Sequence, residues 1–173
     1  MASRSLDALV LTSLPNILYL TNFSGSAAIV LLDGERVRFI TDSRYASALA
    51  ESSRTPEACP ALELVVTAGS YDGTLVTRLA EYATRRVGFE AAHVTISRHA
   101  WWTSALSSGP GSRDAPPILV PTEGIVEGAR LRKDAYELEV FREAGRRLSG
   151  VARELLATRL LGRSEREVAA DID

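Results

Sequence analysis

The sequence predicts an α/β domain in which helices cover a mostly buried sheet. Three observations carry that expectation. Apolar runs of strand length, such as Ala8-Leu9-Val10-Leu11 and Leu62-Glu63-Leu64-Val65-Val66-Thr67, alternate with stretches of helical periodicity. Turn chemistry separates them, as at Asp33-Gly34 and Ala68-Gly69-Ser70. The 173 residues are 46% apolar and 24% charged, a balance suited to a soluble chain that buries a sizeable core.

The elements follow in order. Ala8-Leu9-Val10-Leu11 reads as a short buried strand. Ser13 sits where it can cap a short helix running to Leu20, and Pro15 has the fixed φ that suits its start. The polar loop Thr21-Asn22-Phe23-Ser24-Gly25-Ser26 leads into an apolar run at 27–32. The Asp33-Gly34 turn and Val37-Arg38-Phe39-Ile40 come next. Asp42 or Ser43 caps a helix-prone stretch at 46–50, which Ser52-Ser53-Arg54-Thr55-Pro56 ends. After the strand at 62–67 an amphipathic helix is expected over 72–86, with Leu75, Val76, Leu79 and Tyr82 on one face. Val87-Gly88-Phe89-Glu90 is a strand, and Thr95 or Ser97 opens a helix carrying Trp101, Trp102 and Leu106. Residues 107–117 form a solvated, turn-rich loop, and Ile118-Leu119-Val120-Pro121 is an edge strand, because proline cannot donate to a ladder.

At residue 130 the character changes, which divides the chain into a domain over 1–129 and a second part over 130–173. Asp134-x-x-Glu137 has capping-box spacing. Behind it Leu138, Phe141, Leu148, Val151, Ala152 and Leu155 recur at helical steps, giving about seven turns before Gly162. Ser164-Glu165-Arg166-Glu167 is a second capping box, whose helix is less than three turns old at Asp173; this is expected of a truncated chain.

Composition excludes several function classes. A net charge of −2, with basic residues interleaved among acids, gives no reason to expect nucleic acid. Nineteen of the twenty basic residues are Arg, the exception being Lys133. No apolar run approaches the roughly 20 residues that span a bilayer, and the N-terminus lacks a signal-peptide core, so a cytoplasmic location is expected. The single Cys59 allows no internal disulfide and has no basic neighbour in sequence to activate it. His93 and His99 lie six apart with no acidic cluster to match a metal site, and read as surface or half-buried histidines. Gly109-Pro110-Gly111 lacks phosphate-loop spacing, and no triad partner can be nominated for Ser24 or Ser26. No catalytic residue and no metal ligand is nominated in this chain.

Two motifs in order, Asn16-x-x-Tyr19-Leu20-Thr21-x-Phe23-Ser24-Gly25-Ser26 and Thr41-Asp42-Ser43-Arg44-Tyr45, resemble the N-terminal domain of the creatinase/prolidase/aminopeptidase P family. Arg132-Lys133-Asp134-x-x-Glu137-x-x-x-Phe141-Arg142-x-Ala144 and Gly162-x-Ser164-Glu165-x-Glu167-Val168-Ala169 resemble its interdomain junction and the first helices of its catalytic domain. The resemblance implies an RNase H-like mixed sheet flanked by helices and followed by a long linker helix. It implies a parent protein that hydrolyses Xaa-Pro bonds with two divalent metal ions (Mn, Co or Zn), held by two Asp, one His and two Glu in a catalytic domain beyond Asp173. None of those ions is expected in this chain. Its implied partners are its own catalytic domain, a second subunit in a homodimer or larger assembly, and Xaa-Pro peptides reached through the parent. Its own contribution would be oligomerisation and gating of the active site. A stand-alone protein- or peptide-binding module of the same fold is the alternative, and creatine amidinohydrolysis is a third chemistry for the same architecture.

Six residues are candidates for gating or interface roles: Tyr19, Asn22, Phe23, Arg44, Tyr45 and Trp102. The 19–26 loop either packs Leu20 and Phe23 into the core or reaches an active-site mouth. Asn22 stands where the family usually has Gly, and Asn is the commonest other residue to accept a positive φ. Asp42 and Arg44 make either a helix cap with an intradomain ion pair or, through Arg44 and Tyr45, a contact with a neighbouring subunit or a carboxylate. Trp101 and Trp102 point about 100° apart on a helix. One belongs in the core, and Trp102 is the interface candidate.

Overall fold

The computed structural model describes residues 5–52, 54–55, 58–82, 85–108, 115–157 and 161–170. The chain divides into two compact units, Met1–Gly128 and Ala129–Asp173.

The first unit is built around one six-stranded mixed sheet. Its strands are β1 (Ala8–Leu11), β2 (Ile29–Asp33), β3 (Val37–Asp42), β4 (Leu62–Thr67), β5 (Arg86–Glu90) and β6 (Ile118–Thr122), in the spatial order β4-β3-β2-β1-β5-β6. Sequential β1, β2 and β3 pair antiparallel; a short turn joins β2 to β3, whereas residues 12–28 join β1 to β2. The other three pairings are parallel and need crossovers, supplied by helices α2 (Ser43–Ser52), α3 (Tyr71–Leu79) and α4 (Ile96–Ser108). Helix α1 (Leu14–Thr21) lies between β1 and β2, and α5 (Ile125–Arg130) follows β6.

The period-two alternation of the strands sorts side chains onto two faces. Ala8, Val10, Ile29, Leu31, Ile40, Val65, Val87 and Phe89 pack with Leu75 and Leu79 of α3 and Trp102 and Leu106 of α4. Leu9, Leu11, Val30 and Phe39 face the other way, with Ile17 of α1, Leu49 of α2 and Val126 of α5. Helices therefore cover both faces, which is why all four residues of central β1 are buried. A side chain as large as Leu9 or Phe39, fully buried, contributes about 1.5–3 kcal/mol. Gly88 on β5 permits a close approach. A Cβ there would lie 2.8 Å from Leu6 Cδ1 and 3.1 Å from both Leu9 Cδ1 and Thr122 Cγ2.

Most predicted elements form where expected, with three differences. The helix expected over 72–86 ends at Leu79, with a 3-10 turn at Ala80–Tyr82, and Arg86 already belongs to β5. Tyr82 causes the early stop: it is buried in the core, its hydroxyl donates to Asp33, and Arg85 N–H closes a turn on its carbonyl at 3.0 Å. Ser13 occupies the N-cap of α1, but its side chain makes no cap bond. Helix α5 was not expected. Of the loop expected at 107–117, residues 109–114 lie outside the described residues, as does Pro56, expected to end α2.

The second unit holds α6 (Ala135–Ala157) and α7 (Glu165–Ala170). Both capping boxes close reciprocally. Glu137 N–H donates to Asp134 Oδ1 at 2.8 Å while Asp134 N–H donates to Glu137 Oε2 at 3.0 Å. Ser164 and Glu167 repeat the exchange at 2.8 and 3.4 Å. Gly162 takes φ +86°, a left-handed conformation that suits glycine, so the helical path does not continue through it. Residues 158–160, within the helix expected to reach Gly162, and Ile172 of the last expected helix lie outside the described residues.

Candidate functional site

The site grows from the end of α1. Its last turn is closed by Thr21 Oγ1, which donates to Ile17 O at 2.7 Å, and by Asn22 N–H, which donates to Leu18 O at 2.8 Å. Asn22 then takes φ +56°, the left-handed conformation that ends a helix. The loop's glycine-like turn survives with Asn in place. Phe23 folds back beneath Gly25, stands edge-on to Phe39 at 4.9 Å and Tyr45 at 5.2 Å, and is buried. Leu20 packs beside it. Tyr45 reaches up from α2, its oxygen 2.8 Å from Ser26 Oγ and accepting from Ser26 N–H at 3.3 Å. Those Ser26 contacts, side chain first, lower the Tyr45 hydroxyl pKa.

Between this loop and α2 lies a mainly apolar pocket of about 390 Å³. Asn22, Phe23, Tyr45, Leu49, Cys59 and Leu62 are among its walls. Burial pushes the Cys59 thiol up, away from the thiolate a nucleophile needs. Three of the six candidates, Asn22, Phe23 and Tyr45, therefore converge on one cavity.

The other three do not line it. Tyr19 is half-exposed on α1. Arg44 is turned onto Asp42: its N–H and Nε donate to Oδ1 at 2.9 and 3.0 Å, and Nη2 donates to Oδ2 at 2.7 Å. Tyr71 adds a hydroxyl bond to Oδ2 at 2.7 Å. Arg44 first and Tyr71 second hold the Asp42 carboxyl far below the usual carboxylate range. The cap and intradomain pair are thus formed, while the arginine remains mostly exposed.

Trp102 is corrected. It is fully buried, with its ring edge-on to Phe89 and Nε1–H donating to Asp72 Oδ1 at 2.7 Å. The exposed member of the pair is Trp101, at 48%. Helical spacing gave the angle between the two rings but not which one faces inward.

A second polar cluster was missed. Glu90, at the end of β5, is 7% exposed and accepts from Thr12 N–H at 2.6 Å, Ser13 N–H at 2.8 Å and Asn16 Nδ2 at 2.6 Å. This carboxylate stands at the N-terminus of α1, where the Ser13 hydroxyl was expected to cap. An acid closing the run Val87-Gly88-Phe89 was the available signal.

Chemically, the site offers a mainly apolar cavity edged by the Asn22 side chain. His93 is exposed, and His99 stacks on Phe89 at 4.9 Å. Among the described residues no group of three or more His, Cys, Asp or Glu is placed to hold a metal. No helix among them is long and apolar enough to cross a membrane.

Comparison with known proteins agrees with this geometry. Residues 1–132 match the family described as the Creatinase/Prolidase N-terminal domain. Over 168 residues the chain is 29% identical to uncharacterized peptidase YqhT of Bacillus subtilis, covering 97% of this chain and 44% of that protein. An Xaa-Pro dipeptidase from Bacillus anthracis superposes with a TM-score of 0.78 at 26% identity, over 99% of this chain and 44% of its own. The N-terminal domain of cytoplasmic peptidase PepQ from Mycobacterium tuberculosis, solved by itself, gives 0.59 at 29% identity over 73% of this chain and 89% of its own. The chain thus spans less than half the length of the first two relatives.

Proposed function

The chain belongs to the creatinase/prolidase N-terminal domain family, and from that premise we propose that it is the non-catalytic N-terminal domain of an Xaa-Pro peptidase. The observation that carries the reading is the alignment of 99% of this chain with 44% of an Xaa-Pro dipeptidase. In this reading two divalent ions (Mn, Co or Zn) belong to the catalytic domain, where they would activate a bridging water. Residues 130–173 are the interdomain junction and the first catalytic-domain helices, and the apolar stripe of α6 is covered by that domain.

The domain contributes association and gating. Asn22, Phe23 and Tyr45 at the pocket, with half-exposed Tyr19 and the Arg44 guanidinium, form the edge presented to an active-site cleft in a dimer or larger assembly. Cytoplasmic location accompanies the reading, supported by the single cysteine and by the likeness to cytoplasmic peptidase PepQ.

Two assays test it. The purified chain, incubated with Mn²⁺ or Co²⁺ and Xaa-Pro dipeptides, should show no turnover, and metal-dependent cleavage would overturn the reading. In the parent protein, Tyr19→Ala and Asn22→Ala should shift KM for longer Xaa-Pro peptides more than for dipeptides. Equal changes for both lengths would remove the gating role.

A further inference from the structure

Asn16 opens the first sequence motif yet takes no part in the pocket. It is fully buried on α1. Its Nδ2 donates to Glu90 Oε1 at 2.6 Å and to Glu127 Oε1 at 2.7 Å. A side-chain amide nitrogen carries two hydrogens, so both are committed, each to a carboxylate from a different element. Glu90 ends β5, and Glu127 lies in α5. The other oxygen of Glu90 is taken by Thr12 and Ser13 N–H, which fixes that carboxylate to the start of α1.

From this geometry we propose that Asn16 is a positioning residue, a latch that sets the orientation of α5 against α1. Helix α5 has six residues, too few to hold a helix by itself. Val126 gives it grip, since that side chain is 5% exposed in the apolar cluster. Apolar contact is non-directional, whereas a hydrogen bond loses strength steeply with angle. The Asn16–Glu127 bond therefore supplies the direction that Val126 cannot. An aspartate of the same shape offers acceptors only and would place a third carboxylate between the two. A leucine would fill the space and leave both carboxylates without this donor. Through the latch, the helix that ends in the Asn22 turn and the segment by which the chain leaves the sheet unit are fixed by one side chain. This goes beyond the proposed function and does not rest on it.

The composition supplies a clean test. The chain has two asparagines and no glutamine, so nitrogen-correlated NMR shows two side-chain amide pairs, from buried Asn16 and exposed Asn22. In the whole wild-type chain both Asn16 protons should exchange with solvent at least ~100-fold more slowly than those of Asn22. Glu127→Ala should speed one Asn16 proton about tenfold or more and leave the proton on Glu90 slow. It should also release the α5 amides from Gly128 onward while Thr12 and Ser13 stay protected. Glu127→Gln keeps a carbonyl acceptor and should restore the wild-type pattern. Wild-type Asn16 protons that exchange like those of Asn22 would overturn the proposal without any variant. So would α5 amides unmoved by Glu127→Ala, or a Glu127→Gln chain that behaves like Glu127→Ala.

Discussion

Strand β1 buries all four of its residues, whereas α6, which carries the longest periodic apolar signal in the chain, buries none of its 23. Leu138, Phe141 and Leu148 are 43%, 60% and 71% exposed. The two segments are equally well patterned and differ in what surrounds them. β1 has sheet neighbours on both sides and helices on both faces, all from residues within the same unit. The stripe on α6 instead has the character of an interaction surface. Periodicity reports which face is meant to be covered. It does not say whether the cover lies in the same stretch of chain.

Substitutions can break or sharpen that contrast. The largest effect is expected for Trp102→Ala, which empties a fully buried site and removes the donor to Asp72. It should cost about 3–5 kcal/mol in urea unfolding. Arg38→Met comes next. Arg38 is 5% exposed and bound to Tyr82, to Asp33 at 3.4 Å and to Glu81 at 3.1 Å. Its loss would leave the little-exposed Asp33 carboxylate without its cation, at about 3 kcal/mol.

The same cluster makes the sheet unit sensitive to pH in two directions. The Tyr82 hydroxyl is pushed up to about 12, by burial first and by its hydrogen bond to Asp33 second. Its folded value lies above the unfolded value of about 10. Its contribution is therefore complete below pH 10 and is lost as pH climbs toward 12. Asp33 moves the other way. Burial raises it, but the Tyr82 hydroxyl, the Glu35 and Arg36 amides and the Arg38 charge together outweigh burial, and the net shift is downward. Its contribution is present above about pH 4 and lost as pH falls below that. Tyr82→Phe should flatten the alkaline limb of a stability-against-pH curve; an unchanged limb would show that another group sets it.

Smaller effects belong to the second unit. Asp134→Ala removes half of a capping box and should cost α6 about 1 kcal/mol. The loss would appear as faster amide exchange in the first turn of α6, with no shift in the unfolding midpoint of the sheet unit. Leu148→Ala should change the stability of this chain by no more than about 0.5 kcal/mol. Replacing Phe141 and Leu148 together with Lys should instead reduce self-association through the stripe, measured by sedimentation. A wild-type chain that is monomeric at high concentration, with α6 protected from exchange, would contradict this.

These contrasts also explain what was legible in the sequence. Strands and capping boxes were, because a period of two or a reciprocal pair at three-residue spacing is a local signature. Asn22 was, because a positive φ selects among few residue types. Helix α5 was not, since six residues are too few to show a period. The end of α3 was not, because Tyr82 fits the apolar helical face and its hydroxyl partner Asp33 lies 49 residues away. Glu90 was missed for a similar reason: its nearest donor, Asn16, is 74 residues distant. The orientation of Trp102 depended on Phe89 and Asp72, two further elements that its own helix does not encode.

One contact under the Asn22 turn has a mechanical consequence. A Cβ built on Gly25 would clash with the tip of the Phe23 ring at Cζ, and that ring stands edge-on to both Phe39 and Tyr45. The crest of the loop and the middle of the sheet therefore behave as a stiff lip, not a hinged flap. An engineer wishing to widen or narrow the opening would leave 23 and 25 alone and work at exposed Ser24, since the positive φ of Asn22 restricts what can replace it.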